Sequence, residues 1–323
     1  MPILLLHGFL DSSDTFCLRR NSSPAIYLTK AGYDVWLGNM RGNRYSRRHI
    51  TLNADIDRNY WNFTYHENGY YDYPAIIDKV LSRTDKKQLI VIGHSQGTLN
   101  YFVMGSTRPD YNDKVKLFIA LAPIFYSRNN RGVAALAPLV LPLAYKVLKA
   151  LDQVELLGQN SLLVKALQEM CTKFKQSYKV CIHGLLFSVF GVDEDQIELE
   201  FVPIIMKQYF AGGASVKTIA HANQFTHGHY GQLDYGVRNM EMYGSLTAPL
   251  YNLTNISTKV VLMVGRNDFV ATVSDTMKLL DALPNATYFE MPRNLFSHMD
   301  FVWSNQMPKY LFPYLHKFLD EYQ

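Results

Sequence analysis

Five residues, Gly93-His94-Ser95-Gln96-Gly97, constrain this chain more than any others. They follow Gln88-Leu89-Ile90-Val91-Ile92, a short apolar, β-branched run that reads as a buried strand. They precede Thr98 to Met104, which reads as a helix. A Gly-x-Ser-x-Gly turn between a strand and a helix is the context of a nucleophile elbow. The turn is too sharp for neighbouring side chains, and a glycine on either side removes the Cβ clash. It lifts the Ser95 hydroxyl off the sheet and aims the N-terminus of the next helix at it, where negative charge is favoured.

The same alternation runs along the chain. Ile3 to Leu6 reads as a strand ending at His7-Gly8-Phe9-Leu10, Pro24 to Ala31 as a helix, and Gly32 to Leu37 as a strand. Gly38 to Arg48 is a polar loop, and the aromatic-rich Tyr60 to Tyr71 is expected to pack along the sheet. Tyr73 to Ser82 is an amphipathic helix with Ala75, Ile76, Val80 and Leu81 inward. Val115 to Leu121 and Thr258 to Val264 are buried strands. Val273 to Leu283 is a helix, Thr287 to Met291 the last strand, and Met307 to Tyr322 the closing helix. This pattern predicts an α/β-hydrolase fold, a mostly parallel sheet flanked by helices, with its chemistry at the carboxyl edge.

Residues 124–250 break the alternation. A stretch that long is not a loop. It is expected to form an inserted helical cap, dividing the chain into a core of residues 1–123 and 251–323 and a cap or lid of residues 124–250. Its apolar stretches, Val133 to Tyr145 and Leu185 to Phe190, are expected to cover the pocket in water and turn outwards on lipid.

In this fold the chain order is serine, acid, histidine. Asp268 lies just beyond the strand closed by Val264-Gly265. Two histidines follow it: His316 in the closing helix, and His298 in the loop after the last strand, where a general base must sit. The expected catalytic set is Ser95, Asp268 and His298, with the amides of Phe9 and Gln96 as the oxyanion hole, each donor worth about 3 kcal/mol. His94, inside the elbow, is assigned to packing. His221, His227 and His229 suggest a metal cluster, but Gly228 and Gly231 beside them point to an exposed hairpin. No carboxylate or cysteine stands at ligand spacing, so neither a metal nor a cofactor is expected.

The net charge of +4 is modest, and the densest basic group, Arg41, Arg44, Arg47 and Arg48, reads as a surface loop. Nucleic acid is therefore not an expected partner. Val133 to Tyr145 is too short to cross a bilayer, so no transmembrane segment is expected. Met1 leads straight into the first strand with no signal peptide between. Sequons at Asn21, Asn62, Asn252, Asn255 and Asn285 nevertheless lean towards a secreted or lumenal protein. Of three cysteines, Cys171 and Cys181 are closest in sequence; they either pair or, with Cys17, remain buried thiols.

The elbow with Thr98, the run Ala31 to Asn39 with Arg41-Gly42-Asn43, Tyr71-Asp72 with Pro74-Ala75, and His298-Met299-Asp300-Phe301 together resemble the acid lipase family of gastric, lysosomal and insect lipases. The resemblance covers nearly the whole chain. It implies a lidded hydrolase of neutral-lipid esters working at a lipid–water interface, secreted or lysosomal and glycosylated. It places Ser95, Asp268 and His298 on the family's triad and Phe9 and Gln96 on its oxyanion positions. It also places Asn21 and Asn252 on its glycosylation sites. Cys171 and Cys181 match its cap disulfide with one extra residue between them. Two features depart: Ala211 stands where the family has a proline, and the signal peptide and two strands ahead of Ile3 are missing. The expectation is that upstream coding sequence supplies both, because β-strand Ile3 to Leu6 would otherwise lack a neighbour. Two rival functions share the scaffold: a carboxylesterase for soluble short-chain esters, and a silent lipid-binding or storage protein. An intact Ser95, Asp268 and His298 argues against the second.

Overall fold

The computed structural model describes residues 1–158, 161–173, 175–209 and 213–322. In chain order the strands are β1 (Pro2–Leu6), β2 (Asp34–Gly38), β3 (Leu89–His94), β4 (Val115–Leu121), β5 (Glu155–Leu156), β6 (Ala214–Ser215), β7 (Lys259–Val264) and β8 (Ala286–Glu290). Six of them form one sheet in the order β2-β1-β3-β4-β7-β8, all parallel. The chain is an α/β-hydrolase fold.

The helices used below are α1 (Pro24–Lys30), α2 (Tyr73–Thr84), α3 (Gln96–Thr107), α4 (Ala137–Ala150), α5 (Leu162–Lys173), α6 (Val202–Tyr209), α7 (Lys217–Thr226), α8 (Val273–Ala282) and α9 (Phe312–Glu321). Successive strand side chains point to opposite faces, and here both faces are covered, which is why the central strands β1, β3, β4 and β7 read as mostly apolar runs. Ile3, Leu5, Ile90, Ile92 and Ile119 pack with Leu28 of α1 and Leu315 of α9. Leu4, Leu6, Val91, Phe118 and Ala120 pack with Ile77 of α2, Phe102 of α3 and Leu279 of α8.

Several expectations need correcting. β1 has partners on both sides, and the open edge belongs to β2, because α1 returns the chain to the outer side of β1. Helix α2 buries Tyr73, Pro74, Ile77 and Val80, while Ala75 is exposed and Ile76 and Leu81 only half-buried. Of the four residues expected inward, Val80 is buried, Ile76 and Leu81 pack against the core from its margin, and Ala75 does not reach it. Tyr60, Trp61 and Phe63 form a small cluster of their own with Ala54 instead of joining the sheet; Tyr65 is the one that reaches the sheet core. The closing helix is two pieces, Met307–Tyr310 and α9, because Pro313 at the start of α9 cannot continue a helical ladder.

Between β4 and β7 the chain is mostly helical, with β5 and β6 adding one short antiparallel pair. Ala211 lies outside the described residues. The apolar run expected to end at Tyr145 continues to Ala150, so Gly132–Ala150 forms a 19-residue helical stretch long and apolar enough to cross a membrane, none of it buried. Leu136, Leu139, Val140, Leu143 and Val147 are all exposed, and Leu139 keeps 75 % of its surface open. The spacing of these five puts them on one helix face.

Candidate active site

Ser95 sits between β3 and α3 with φ +52 and ψ −119, a left-handed φ that a serine adopts at a cost. The turn closes so tightly that a Cβ on Gly97 would lie 2.5 Å from the Leu6 carbonyl oxygen. The Ser95 N–H donates to Leu121 O at 3.0 Å, tying the elbow to the end of β4.

Three loops at the carboxyl edge converge here. His298 Nε2 lies 2.8 Å from Ser95 Oγ, and His298 Nδ1 lies 2.8 Å from Asp268 Oδ2. All three residues are buried. Asp268 Oδ1 accepts the N–H groups of Val270 and Ala271, both at 2.8 Å, so its free oxygen is aimed at the imidazole. An ionised carboxylate only accepts, so Nδ1 carries the proton and Nε2 is left to accept from the serine hydroxyl.

The histidine of the His-Gly pair braces the loop that carries Phe9. His7 Nδ1 donates to Gly8 O at 2.8 Å, while Nε2 accepts from Met40 N–H at 3.4 Å and from Asn43 Nδ2 at 3.3 Å. Burial lowers its pKa to about 4, so it stays neutral. His94 does more than pack: its Nε2 donates to the His298 carbonyl at 3.0 Å. Burial first, then the neighbouring His298, lowers its pKa to about 3. Above the elbow lies a cavity of about 290 Å³ that Ser95 shares with Phe9, Gln96, Tyr65, Leu99, Phe190 and Phe225. Ala134, Ala137 and Leu141 line it too, on the helix side opposite the exposed stripe. A larger hollow of about 430 Å³ beside Trp61 and Lys217 contains none of the three convergent side chains.

Other singled-out residues fall elsewhere. His221 is buried in α7 and bonds Gly231 O, His227 is exposed, and among the described residues no cluster suits a metal. The segment after α7 is a turn with one isolated bridge, not a hairpin. His316 is an exposed partner of Asp320. Arg41 and Arg47 staple their loop to Asp72, Asp55 and Glu155. Leu186 and Phe187, expected to cover the pocket in water and turn outwards on lipid, are buried at 2 % and 4 % exposure in the main core cluster and do not line the cavity. Asp193, in the acidic run Asp193-Glu194-Asp195, is fully buried against Arg293. Cys171 and Cys181 are bonded to each other, with Cys17 free. All five sequon asparagines, Asn21, Asn62, Asn252, Asn255 and Asn285, are exposed. Asn252, Asn255 and Asn285 donate Nδ2, the atom a glycan would need, to Asn255 Oδ1, Ser106 O and Ser257 O.

Sequence reasoning missed Phe190, Asp193 and Arg293. Phe190 stacks on the His298 ring, 12° between planes and 5.2 Å between centroids. Phe190 ends an apolar stretch expected over the pocket, which gave no hint of His298, and Asp193 lies in an acidic run whose partner is 100 residues away.

Residues 1–186 match the family described as the alpha/beta hydrolase fold. The class defined by this sheet, elbow and converging loops is therefore that of the α/β-hydrolases. Lipase 1 of Drosophila melanogaster is 35 % identical over 96 % of this chain and 69 % of its own length. The lysosomal acid lipase/cholesteryl ester hydrolase of Rattus norvegicus is 31 % identical over 100 % of this chain and 81 % of its own. The chain belongs to the acid lipase family. In fold it resembles a soluble variant of monoglyceride lipase from Saccharomyces cerevisiae, with a TM-score of 0.58 at 15 % identity, covering 100 % of this chain and 86 % of that one.

Proposed function

We propose that this chain is a lipase that hydrolyses carboxylic esters of neutral lipids through an acyl-enzyme on Ser95. The observation that carries the reading is the chain of two 2.8 Å contacts, Ser95 Oγ to His298 Nε2 and His298 Nδ1 to Asp268 Oδ2, beneath an apolar cavity. As Oγ attacks the ester carbonyl carbon, Nε2 takes its proton and the carbonyl electrons move onto oxygen. The N–H groups of Phe9 and Gln96 stabilise that oxyanion. The C–O bond to the alcohol then breaks, and the imidazolium protonates the leaving alkoxide. Water enters, gives a proton to Nε2 and attacks the acyl-enzyme, releasing the acid and restoring Ser95. Asp268 holds the tautomer and stabilises the imidazolium throughout.

Residues 124–250 act as the cap, and residues 1–123 and 251–323 as the core. Helix α4 is apolar on two sides: Ala137 and Leu141 line the cavity, while Leu139, Leu143 and Val147 face outwards. A helix of that kind lies on a lipid surface with one side and receives the acyl chain with the other. Burying each outward leucine in lipid contributes about 1.5–3 kcal/mol. The Cys171–Cys181 disulfide and the exposed sequons support an oxidising compartment, secreted or lysosomal.

The test is hydrolysis of emulsified long-chain triacylglycerol and sterol ester beside a soluble short-chain ester. The expected result is activity that rises once long-chain substrate forms droplets and is lost in Ser95→Ala. Turnover of the soluble ester alone would make this a carboxylesterase, and no turnover of any ester a binding protein.

A further inference from the structure

By chain order the stretch from Phe187 to Gln196 belongs to the cap, yet it is threaded between the two loops that carry Asp268 and His298. The His298 N–H donates to Phe190 O at 3.3 Å, and the Phe190 ring lies nearly parallel to the imidazole. Gly191 follows with φ +103; a Cβ there would stand 2.0 Å from the Asn267 carbonyl oxygen and 3.2 Å from Ser297 Cβ. Asn267 Nδ2 then donates to Val192 O at 2.6 Å. Asp193 accepts two 2.6 Å bonds from Arg293, on the loop leading to His298. Gln196 O accepts the Asn305 N–H at 2.9 Å, just past the same loop.

We infer that Phe190 is a positioning residue for His298, and that the Asp193–Arg293 pair anchors the segment that presents it. The inference rests on the role proposed for His298. An imidazole turns easily about its Cβ–Cγ bond, for which the torsional wells are broad. Transfer from Ser95 and support from Asp268 need both nitrogens in line at once. The in-plane contacts hold the ring at its two nitrogens; the flat face of Phe190 resists the tilt they leave open. The cap therefore has a fixed part that completes the catalytic apparatus, distinct from the part that covers the cavity.

Phe190 also lines the cavity, so the test must separate contact with substrate from action through His298. The experiment measures kcat and KM on a soluble short-chain ester, and the second-order rate of Ser95 phosphonylation by a small fluorophosphonate, in Phe190→Leu and Phe190→Tyr. Leucine keeps the apolar bulk that the fold needs and loses the flat face; tyrosine keeps the face. The expected result for Phe190→Leu is a loss on the order of tenfold in both kcat and labelling rate, with KM changed far less. Phe190→Tyr restores both. Wild-type labelling rates in Phe190→Leu, with only KM altered, would overturn the inference and leave Phe190 as cavity lining. An equal loss in Phe190→Tyr would overturn it as well. If the wild-type chain is not labelled at all, the proposed function fails first.

Discussion

Two regions of the insertion, similar in apolar composition, meet opposite fates. The stretch Gly132–Ala150 turns Leu136, Leu139 and Leu143 to solvent, whereas Leu186 and Phe187 are buried and the residues after them are clamped to the loops of Asp268 and His298. The difference lies in what surrounds each. Around Phe190 the backbone is fixed by the His298 N–H donating to the Phe190 carbonyl, by the Asn267 side-chain amide donating to the Val192 carbonyl and by a buried ion pair. Helix α4 packs on α7 and the cavity with one side only. A cap on an α/β core can thus combine a rigid part that serves catalysis with an outward part available to a surface.

Four substitutions break or sharpen that contrast. Asp268→Asn acts at the point both clamped loops serve: kcat on any ester should fall about ten-thousandfold because the wrong tautomer is held, while adsorption to lipid droplets stays at the wild-type level. Arg293→Ala strands Asp193 as a buried, unpaired carboxylate. Chemical denaturation should show a loss of about 3–5 kcal/mol, against a change within about 0.5 kcal/mol for Leu143→Ser on the exposed stripe. Leu139→Asp reverses the pattern. Droplet hydrolysis and adsorption should fall on the order of tenfold, since one outward leucine contributes about 1.5–3 kcal/mol on lipid, with soluble-ester kcat unchanged.

The smallest effect is in pH. Burial raises the pKa of Asp300 well above 3.8, against the opposing hydrogen bonds from Ser297, with Asp193 raising it further and Arg293 lowering it. The folded chain therefore holds this proton more tightly than the unfolded chain. Its contribution to stability is complete below the unfolded value of 3.8 and is lost as pH climbs towards the raised folded value. Asp300→Asn should match wild type in Tm at low pH and gain an advantage as pH rises. An advantage that shrinks with rising pH would contradict the assignment.

The core was legible because its signals are local. The runs of β1, β3, β4 and β7 are almost wholly apolar, Lys116 and Lys259 being exceptions, and Gly93, Ser95 and Gly97 mark a turn that few other residues tolerate. Asp268 and His298 could be picked out because each follows a strand that ends at the same sheet edge. The contacts of the cap were not legible, since Asp193 and Arg293 are partners across 100 residues and nothing near either names the other. Composition also says that Leu143 and Phe187 are apolar but not which of them finds a neighbour. His94 packs as expected, against His298 and Phe301, but its bond to the His298 carbonyl was not legible, because it joins two loops separated by most of the chain.

The account stands or falls on Ser95 as an activated nucleophile. The most direct measurement is reaction of the purified chain with a fluorophosphonate ester, followed by mass mapping of the modified peptide. The account predicts one phosphonyl group per chain, carried by Ser95, absent in Ser95→Ala and slowed by orders of magnitude in His298→Ala. Modification elsewhere, or a Ser95 that reacts equally well without His298, would contradict it.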